Sequence, residues 1–261
     1  MRKSANLTLA SDDPQSPERS TSQTVKAQLK LRELILSGDL PSGVRIAELT
    51  LVETLGASRT PIRAALAQLE QEGLLQALPS GGFAVASFSE RDIADSIELR
   101  GSLEGLLARL AAERGAAPVV LAEARAALQA IDALLCQATL PDESFSQYVA
   151  TNERFHTLLA EMGGSDVIVR QLERINRLPF ASPSAFVIAQ SSAADSRDML
   201  VVAQAQHWQV LDAIERREGA RAEAIMREHS RIAQRNLRFV VTHHGGSAAP
   251  PVPGLQLIRR R

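Results

Sequence analysis

Apolar residues recur at helical spacing along most of the chain, and the pattern changes its character once, near Ser89. Before that residue, short helical segments are followed by two brief runs that are typical of β-strands. Beyond it, long segments rich in Ala, Leu, Glu and Arg keep a helical period almost to His243. The pattern therefore predicts a mostly α-helical protein of two domains that meet near residue 89.

The first domain is expected to open with two helices. Val25, Leu29 and Leu36 fall on one side of a helix that ends at the turn residues SGDLPSG. A second, shorter helix is expected from about residue 46 to residue 55, and a tight turn with one glycine follows it.

A third helix is expected to begin at Ser58, whose hydroxyl can cap the amides of the first turn. Its inward face consists of Ile62, Leu66 and Leu69. The runs LLQAL and FAVASF then flank the glycine turn PSGG, as the strands of a β-hairpin do. Three helices followed by a hairpin predict a winged helix-turn-helix domain over residues 23–88.

Arg59 and Arg63 lie one turn apart on the third helix, on a face with little apolar surface to bury. Surface arginines usually do no more than solvate such a face. In a winged helix-turn-helix, however, this helix enters the major groove, where guanidinium groups suit both phosphates and guanine edges. The order of the elements favours the DNA-reading interpretation.

The second domain is expected to be an all-α bundle over residues 89–243. Helices are predicted at about 90–116, 118–138, 142–162, 195–216 and 219–242. Between the third and fourth of these, residues 178–196 break the helical period with two prolines and many serines, yet they are too apolar for a plain linker. They are interpreted as a lid. Residues 1–22 and 244–261 have no apolar period and are predicted to be a disordered arm and tail.

The length and the amino-acid composition limit the kinds of protein that the chain can be. A chain of 261 residues exceeds the need of one ordinary core, and 45% hydrophobic residues with a formal net charge of −1 are typical of a globular protein. A DNA reader of this composition must concentrate its positive charge locally. The single cysteine, Cys136, excludes an intrachain disulfide. With no apolar run of membrane-spanning length and no secretory signal, a cytoplasmic location without membrane contact is expected.

Three of the five histidines fall on apolar helical faces, and they are the strongest chemical signal in the chain. His156 follows Asn152 by four residues, while His207 and His229 lie on the last two predicted helices. Each histidine alone is more often a core residue with satisfied hydrogen bonds. Together, nitrogen and oxygen ligands that converge from several helices are how bundles build a metal site.

The segment LRELILSGDLPSGVRIAELTLVETLGASRTPIRAALAQLEQEGLL, with the glycines of GGFAV, resembles the DNA-binding domain of the GntR family of bacterial transcription regulators over residues 24–88. The resemblance implies seven contacts to double-stranded operator DNA, at Arg45, Ser58, Arg59, Thr60, Arg63, Gly81 and Gly82. Some relatives carry an extra arginine in the second helix, where this chain reads AELTLVETL. The DNA half-site sequence that those relatives prefer is therefore not assigned to this chain.

The segments LRGSLEGLLARLAA, NERFH, QHWQVLDAI and AIMREH resemble the FCD effector domain of the FadR-like branch of that family over residues 91–240. The resemblance implies a divalent metal, such as zinc, nickel or manganese. The family's D-x-x-x-H pair and two further histidines map onto Asn152, His156, His207 and His229. Because asparagine replaces the usual aspartate, the bound metal would keep more of its positive charge, which favours a small carboxylate effector.

Two further residues are candidates for effector binding. Arg100 is a second clamp for a carboxylate, or else it pairs with Glu104 four residues later. Asn236 lies seven residues after His229, on the same helix face. The segments IELRGSLEGLLARLAAERG and YVATNERFH are also similar to repressors of vanillate breakdown, which implies an aromatic acid as the effector. Phe180 and Phe186 of the lid are compatible with an aromatic ring, although two phenylalanines in a loop are more often simple packing.

The favoured function is thus a ligand-responsive transcription repressor that binds DNA as a homodimer, with no enzyme activity. Two alternatives remain open at this point. Three histidines around a metal can activate water in a hydrolase, although no H-E-x-x-H motif is present. A purely structural metal that braces the bundle is the other alternative.

Overall fold

The computed structural model of the protein describes residues 17–137, 141–178, 180–184, 196–243 and 254–259. Its helices are α1 (Pro17–Ser37), α2 (Glu48–Leu55), α3 (Arg59–Gln71), α4 (Glu90–Arg114), α5 (Pro118–Leu135), α6 (Asp142–Gly163), α7 (Asp166–Asn176), α8 (Ser196–Glu215) and α9 (Gly219–His243). Two strands follow α3: β1 (Leu75–Ala77) and β2 (Phe83–Val85). The predicted fold class, a winged helix-turn-helix followed by an all-α domain, is confirmed.

The wing is a short antiparallel hairpin in which Leu75 pairs with Val85 and Ala77 with Phe83. Gly81 and Gly82 form its tip with φ angles of 84° and 81°, a conformation that residues with a Cβ rarely adopt. The hairpin thus needs the glycines that the sequence places between the two strands.

The buried face of α1 differs from the prediction. Val25 and Leu29 are 46% and 57% exposed, and the buried positions are Ala27, Leu31 and Ile35 instead. These three lie four residues apart, with the small alanine at one end, so the helix faces the core about two residues away from the expected stripe. On α3 the prediction is confirmed: Ile62, Leu66 and Leu69 are fully buried.

The C-terminal domain is a bundle in which α4 packs along α9, while α6 packs against both α4 and α5. Its core combines the C-terminal half of α4 with buried residues of α5, α6, α8 and α9. Helix α7 was not predicted, although its N-terminal residue Asp166 directly follows a serine at the N-cap position. The bundle holds α6, α8 and α9, which carry the three core histidines, around a common interior.

The junction of the two domains is packed rather than open. Ser89 begins α4 with a capping box, in which Asp92 and Ser89 exchange hydrogen bonds of 2.8 and 3.1 Å. Beyond this cap, Ile93 and Ile97 of α4 and Leu237 of α9 belong to the same buried cluster as the winged domain. One hydrophobic core therefore continues across residue 89.

Two parts of the chain ends differ from the predicted disordered segments. Helix α1 begins at Pro17, inside the predicted arm. In the predicted tail, residues 254–259 pack on the winged domain, where Leu257 is fully buried. This order depends on tertiary contacts, because the apolar residues of the short segment pack against the hydrophobic core of the winged domain. No helix in the part of the chain that the structure describes is long and apolar enough to cross a membrane.

Candidate DNA-reading face and histidine cluster

The N-terminal end of α3 presents an exposed polar surface. Arg59, Thr60 and Arg63 are all exposed there, and they line a shallow concavity together with two residues of α2, Glu48 and Leu49. Both arginines project from the same end of α3, so their guanidinium groups border this concavity. The arrangement is suited to phosphate oxygens and base edges.

Arg45 lies along the wing, where its backbone pairs with Ala84. Its Nη2 atom donates a hydrogen bond of 2.9 Å to the carbonyl oxygen of Gly81. A Cβ atom on Gly82 would lie 3.6 Å from the same nitrogen, an ordinary van der Waals distance, so glycine is needed there for its positive φ angle and not for this contact. Arg45 and both wing glycines thus form one surface. Ser58 occupies the N-cap position of α3 and is exposed, but its side chain makes no capping hydrogen bond, contrary to the prediction.

Sequence reasoning missed two residues of the concavity. Glu48 lies 3.8 Å from Arg63, as an ion pair at the surface. Leu49 is 60% exposed between the polar groups, an unusual place for a large apolar side chain that has no packing role. The short α2 helix offered the only signal, because its apolar positions are too many for one buried face.

The three core histidines meet in the interior of the bundle. His156 comes from α6, His207 from α8 and His229 from α9, and all three are buried. One ligand nitrogen of each lies within 4.8 Å of the others. The Nε2 atoms of His207 and His229 are 3.1 Å apart. The prediction that the three side chains converge is therefore confirmed, while their role as metal ligands is not tested by the geometry alone.

Each histidine has a partner for its other ring nitrogen. The Nδ1 atom of His156 lies 2.8 Å from a carboxylate oxygen of Glu104. The Nδ1 atom of His207 lies 3.3 Å from Oε1 of Gln204, and that of His229 lies 3.2 Å from Oε1 of Gln206. An oxygen beside each Nδ1 favours the tautomer in which Nδ1 carries the proton. In the neutral form of that tautomer, the Nε2 atoms keep their lone pairs.

The orientation of the Gln204 amide is fixed independently of the histidine. Its Nε2 group donates to the backbone oxygen of Leu128 at 2.9 Å and to Oδ1 of Asp132 at 2.7 Å. The other oxygen of Asp132 accepts from the indole nitrogen of Trp208 at 3.0 Å. With two acceptors on its nitrogen side, Gln204 can present only its oxygen to His207.

This arrangement fits a cation. The Nε2 atom of His156 is buried with no hydrogen-bond partner among the described residues, and the lone pairs of His207 and His229 face each other. Burial lowers the pKa of His207 and of His229 well below the ordinary value of 6.5. Neutral imidazoles are the form that binds metals, and their outer hydrogen bonds orient them as in known metal sites.

A buried ion pair adjoins the cluster. The Nη1 atom of Arg100 donates to Glu104 at 2.9 Å, and both side chains are 1% exposed. Burial raises the pKa of Glu104, but the nearby Arg100 and His156 outweigh burial, so the pKa lies below its ordinary value of 4.5. The alternative of an Arg100 ion pair with Glu104 is thus realised. Arg100 nevertheless also borders a cavity.

That cavity brings four predicted residues together. Arg100, Asn152, His229 and Asn236 all line it. Its volume is only about 30 Å³, which is the space of about one water molecule, so an aromatic acid would have to displace part of the wall. Met199, Leu200 and Ala203 of α8 provide part of that wall.

A larger cavity of about 310 Å³ borders His156. Three glutamates line it: Glu104, Glu153 and Glu173. Their charge would repel a carboxylate and attract a cation. The smaller cavity, which borders Arg100, is therefore the better candidate for the effector.

The predicted lid is described only in part. Leu178 and residues 180–184 are described, and Phe186 lies outside the described residues. Pro183 lines both cavities, and the Ser184 hydroxyl accepts a hydrogen bond of 3.3 Å from the Asn152 amide. Phe180 is buried, but it belongs to the core cluster of the winged domain rather than to the cavity lining.

Two family models match the chain. The model described as bacterial regulatory proteins of the gntR family matches residues 21–85, and the FCD domain matches residues 95–231. We name the exposed surface of Arg59, Thr60 and Arg63 the reading face. Together the two models cover this face and the histidine cluster.

Individual relatives agree with this assignment. An HTH-type transcriptional regulator in an unstable DNA locus of Streptomyces ambofaciens is 30% identical over 82% of this chain and 85% of its own length. The HTH-type transcriptional repressor GlaR of Escherichia coli is 31% identical over 71% of this chain and 81% of its own length. Among solved structures, McbR/YncC of E. coli has a TM-score of 0.56 at 20% identity, with coverage of 85% of this chain and 98% of that one.

Proposed function

The chain belongs to the GntR family of transcription regulators with an FCD domain, and from this premise we propose that it is a homodimeric repressor whose operator affinity responds to a small carboxylate. Its relatives are transcription regulators and not enzymes, so the hydrolase alternative has no support from them. The observation that carries the proposal is one cavity lined by Arg100 and Asn236 beside the three converging histidines.

The DNA-binding half of the proposal places Arg59, Thr60 and Arg63 in the major groove, with Arg45 and the wing glycines Gly81 and Gly82 beside the backbone or minor groove. Ser58, at the start of α3, is proposed to contact a phosphate. Support comes from the concavity that Arg59, Thr60 and Arg63 share, and from the hydrogen bond of Arg45 to the wing tip. Two such surfaces about one turn of DNA apart would read a palindrome, which is why a homodimer is proposed.

The effector half assigns a divalent metal to His156, His207 and His229, with the Asn152 oxygen as a fourth ligand. When bound, the ion would supply positive charge and open positions for an anionic oxygen. Arg100 would bind the effector carboxylate from the far wall of the cavity, although part of its charge is already engaged by Glu104. Asn236 would donate to a polar group of the effector. Vanillate is the proposed example of the aromatic acid class.

The test is fluorescence anisotropy on an operator selected from random duplexes with the full chain. The wild-type protein, loaded with zinc, is expected to bind tightly with strong salt dependence and to be released by vanillate. Release by other carboxylates alone would correct the identity of the effector. Operator affinity that is equal with every carboxylate tested would contradict the sensing role.

A purely structural metal is the second candidate, because the three histidines connect α6, α8 and α9. It predicts that chelation unfolds the domain, whereas the sensing role predicts a folded protein that no longer responds. Circular dichroism before and after EDTA treatment, followed by operator titration, separates the two.

A further inference from the structure

The chain after α7 reaches from the effector cavity to the winged domain. At its cavity end, Pro183 lines both cavities and Ser184 is 3% exposed in a hydrogen bond with Asn152. At its other end lie Leu178 and Phe180, which contact the winged domain and the C-terminal segment. We name Leu178 and residues 180–184 the bridging loop.

Leu178 touches the turn that follows the recognition helix α3. A Cβ atom on Gly73 would lie 2.5 Å from Cδ2 of Leu178, a distance too short for any side chain. Gly73 has a φ angle of 76° and directly precedes the buried pair Leu74 and Leu75 at the start of the wing. The bridging loop therefore packs directly on the backbone between α3 and β1.

Phe180 is the second contact, and its backbone is strained. It has a φ angle of 71°, which a residue with an aromatic side chain rarely adopts, yet its side chain is only 6% exposed. Such a conformation persists where the surroundings hold it in place. Part of those surroundings is Gly254, since a Cβ atom there would lie 3.3 Å from the tip of the phenylalanine ring.

Gly254 opens a segment that is fastened to the winged domain. The Gly254 amide donates to the Leu36 oxygen at 3.0 Å. The side-chain amide of Gln256 donates to the backbone oxygens of Ile35 and Leu36 at 2.9 and 2.8 Å, so it caps the C-terminal end of α1. We name residues 254–259 the strap.

The strap also holds the connection between the two domains. Phe88, the residue before the cap of α4, donates its amide to the Leu257 oxygen at 2.8 Å. Its carbonyl accepts from the Arg259 amide at 2.8 Å. These two bonds form a parallel bridge, and the fully buried Leu257 anchors it. Movement of Phe180 against the strap would thus reach both α1 and the interdomain connection.

We propose that the bridging loop and the strap are the coupling device of the protein, with Phe180 as the positioning residue that connects them. Because the cavity beside Asn152 holds only about 30 Å³, a bound acid must displace part of its wall, and Pro183 and Ser184 belong to the described wall or its direct contacts. The displacement moves Leu178 against Gly73 and Phe180 against Gly254. The proposal deepens the proposed function and rests on it.

The first test needs no effector. Ala203→Leu adds side-chain volume to the cavity wall and imitates a bound ligand. With the full chain and a selected operator, it is expected to weaken binding by about tenfold. In the Phe180→Ala background, the same change should alter binding by less than about twofold. An equal loss in both backgrounds, or no loss in either with the protein folded, would overturn the coupling role.

Controls separate coupling from general damage. Phe145→Ala removes a partly buried ring from the core of the helical domain, away from the strap, and should leave the effect of Ala203→Leu intact. Phe180→Leu keeps an apolar side chain and should restore part of the coupling. Thermal unfolding of each variant by circular dichroism checks that it is folded.

The second test uses zinc alone and hydrogen exchange. In the wild-type protein, zinc is expected to slow exchange severalfold both at residues 181–184 and at residues 73–77. In Phe180→Ala, the first peptide should still respond and the second should not. If both peptides respond equally in the variant, the coupling role is wrong. If zinc changes neither peptide nor residues 152–156 in the wild type, the metal site of the proposed function fails, and the operator cycle still decides the coupling.

Discussion

The reading face and the histidine cluster both stand on rigid helices, but they differ in how much of their polarity is already satisfied. Arg63 has a side chain that is 71% exposed and pairs with Glu48 at 3.8 Å, a contact of small energy. His207, in contrast, is fully buried, and its ring nitrogens face Gln204 and His229. The arginines of the face thus have few polar partners within the protein, whereas each histidine of the cluster has a hydrogen-bond partner at Nδ1.

The specificity of the two regions therefore has different physical origins. On the face, the binding energy depends on the DNA, so a substitution there should change binding and leave stability nearly unchanged. In the cluster, the geometry is set by a network from Trp208 through Asp132 and Gln204 to His207. Substitutions there should change metal affinity and stability together.

The largest effect is expected for His207→Ala. Zinc at a hundredfold excess over its Kd would stabilise the wild-type protein by about 2.7 kcal/mol, and the variant should lose this stabilisation. Calorimetry and thermal unfolding with and without zinc measure it. His243→Ala, at the last residue of α9, is the control. Operator binding should survive in the variant, and a folded variant that binds no DNA would show that the two regions are not separable.

Arg63→Ala should produce the next largest effect, on the other region. Loss of a contact to a base edge weakens operator binding by about 1–3 kcal/mol and relaxes sequence preference at one position. Arg231→Ala, an exposed arginine that pairs with Glu228 on α9, is the matched control. Zinc binding should be unchanged in both variants. A uniform loss across all sequences would assign Arg63 to a phosphate instead.

Gln204→Met tests the outer hydrogen bonds of the cluster at nearly constant volume. Loss of an outer partner typically lowers metal affinity by about 10–100-fold, because the imidazole is no longer held in one tautomer. Competition with a coloured chelator measures the change. Gln209→Met, at an exposed position of the same helix, should have no effect. Unchanged zinc affinity in Gln204→Met would remove the orienting role.

Acid should weaken the helical domain through its histidines. Burial lowers the pKa of His207 and His229 below 6.5, so below that pH the unfolded chain binds protons that the metal-free folded protein does not. The free energy of unfolding therefore falls with pH from about 6.5 downward, by at most about 1.4 kcal/mol per pH unit and histidine. Denaturant unfolding in EDTA measures this slope, which His207→Phe should reduce. A slope that the variant retains would locate the effect elsewhere.

Glu48→Gln should give the smallest effect and the opposite sign. It frees Arg63 from a surface pair and removes a negative charge beside the DNA, so operator binding should tighten by at most about 1 kcal/mol. The gain should shrink at high salt. Weaker binding in this variant would mean that Glu48 orients Arg63 for its contact.

The parts of the fold that were predictable have local causes. Ile62, Leu66 and Leu69 were identified because α3 has a single buried face, and the three histidines because each stands among apolar neighbours at helical spacing. Convergence of those histidines followed from the bundle. The hydrogen-bond partners of the histidine Nδ1 atoms could not be predicted in this way. Gln206 contacts His229 from a different helix, and only the packed structure brings that pair together.

The parts that were missed depend on tertiary contacts. The strap lies in a stretch whose glycines and prolines indicate disorder, and Leu257 is buried only because α1 and Phe88 offer complementary surfaces. On α1, the small Ala27 belongs to the buried face, whereas the larger Leu29 is exposed. The prediction assigned the larger apolar residues to the buried face of α1, whereas close packing between helices can prefer a small residue.

The three histidine nitrogens have a consequence for the identity of the metal that they are proposed to bind. Nitrogen sites of this kind follow the general order of affinity among divalent first-row ions, in which copper exceeds nickel and zinc. Selection of the resident ion would then depend on which metals are available to the protein, and the site would be open to mismetallation. Protein that is purified on a nickel resin would take up nickel from the column. The metal content after such a purification would then reflect the resin and not the ion that the protein binds in the cell's supply of metals.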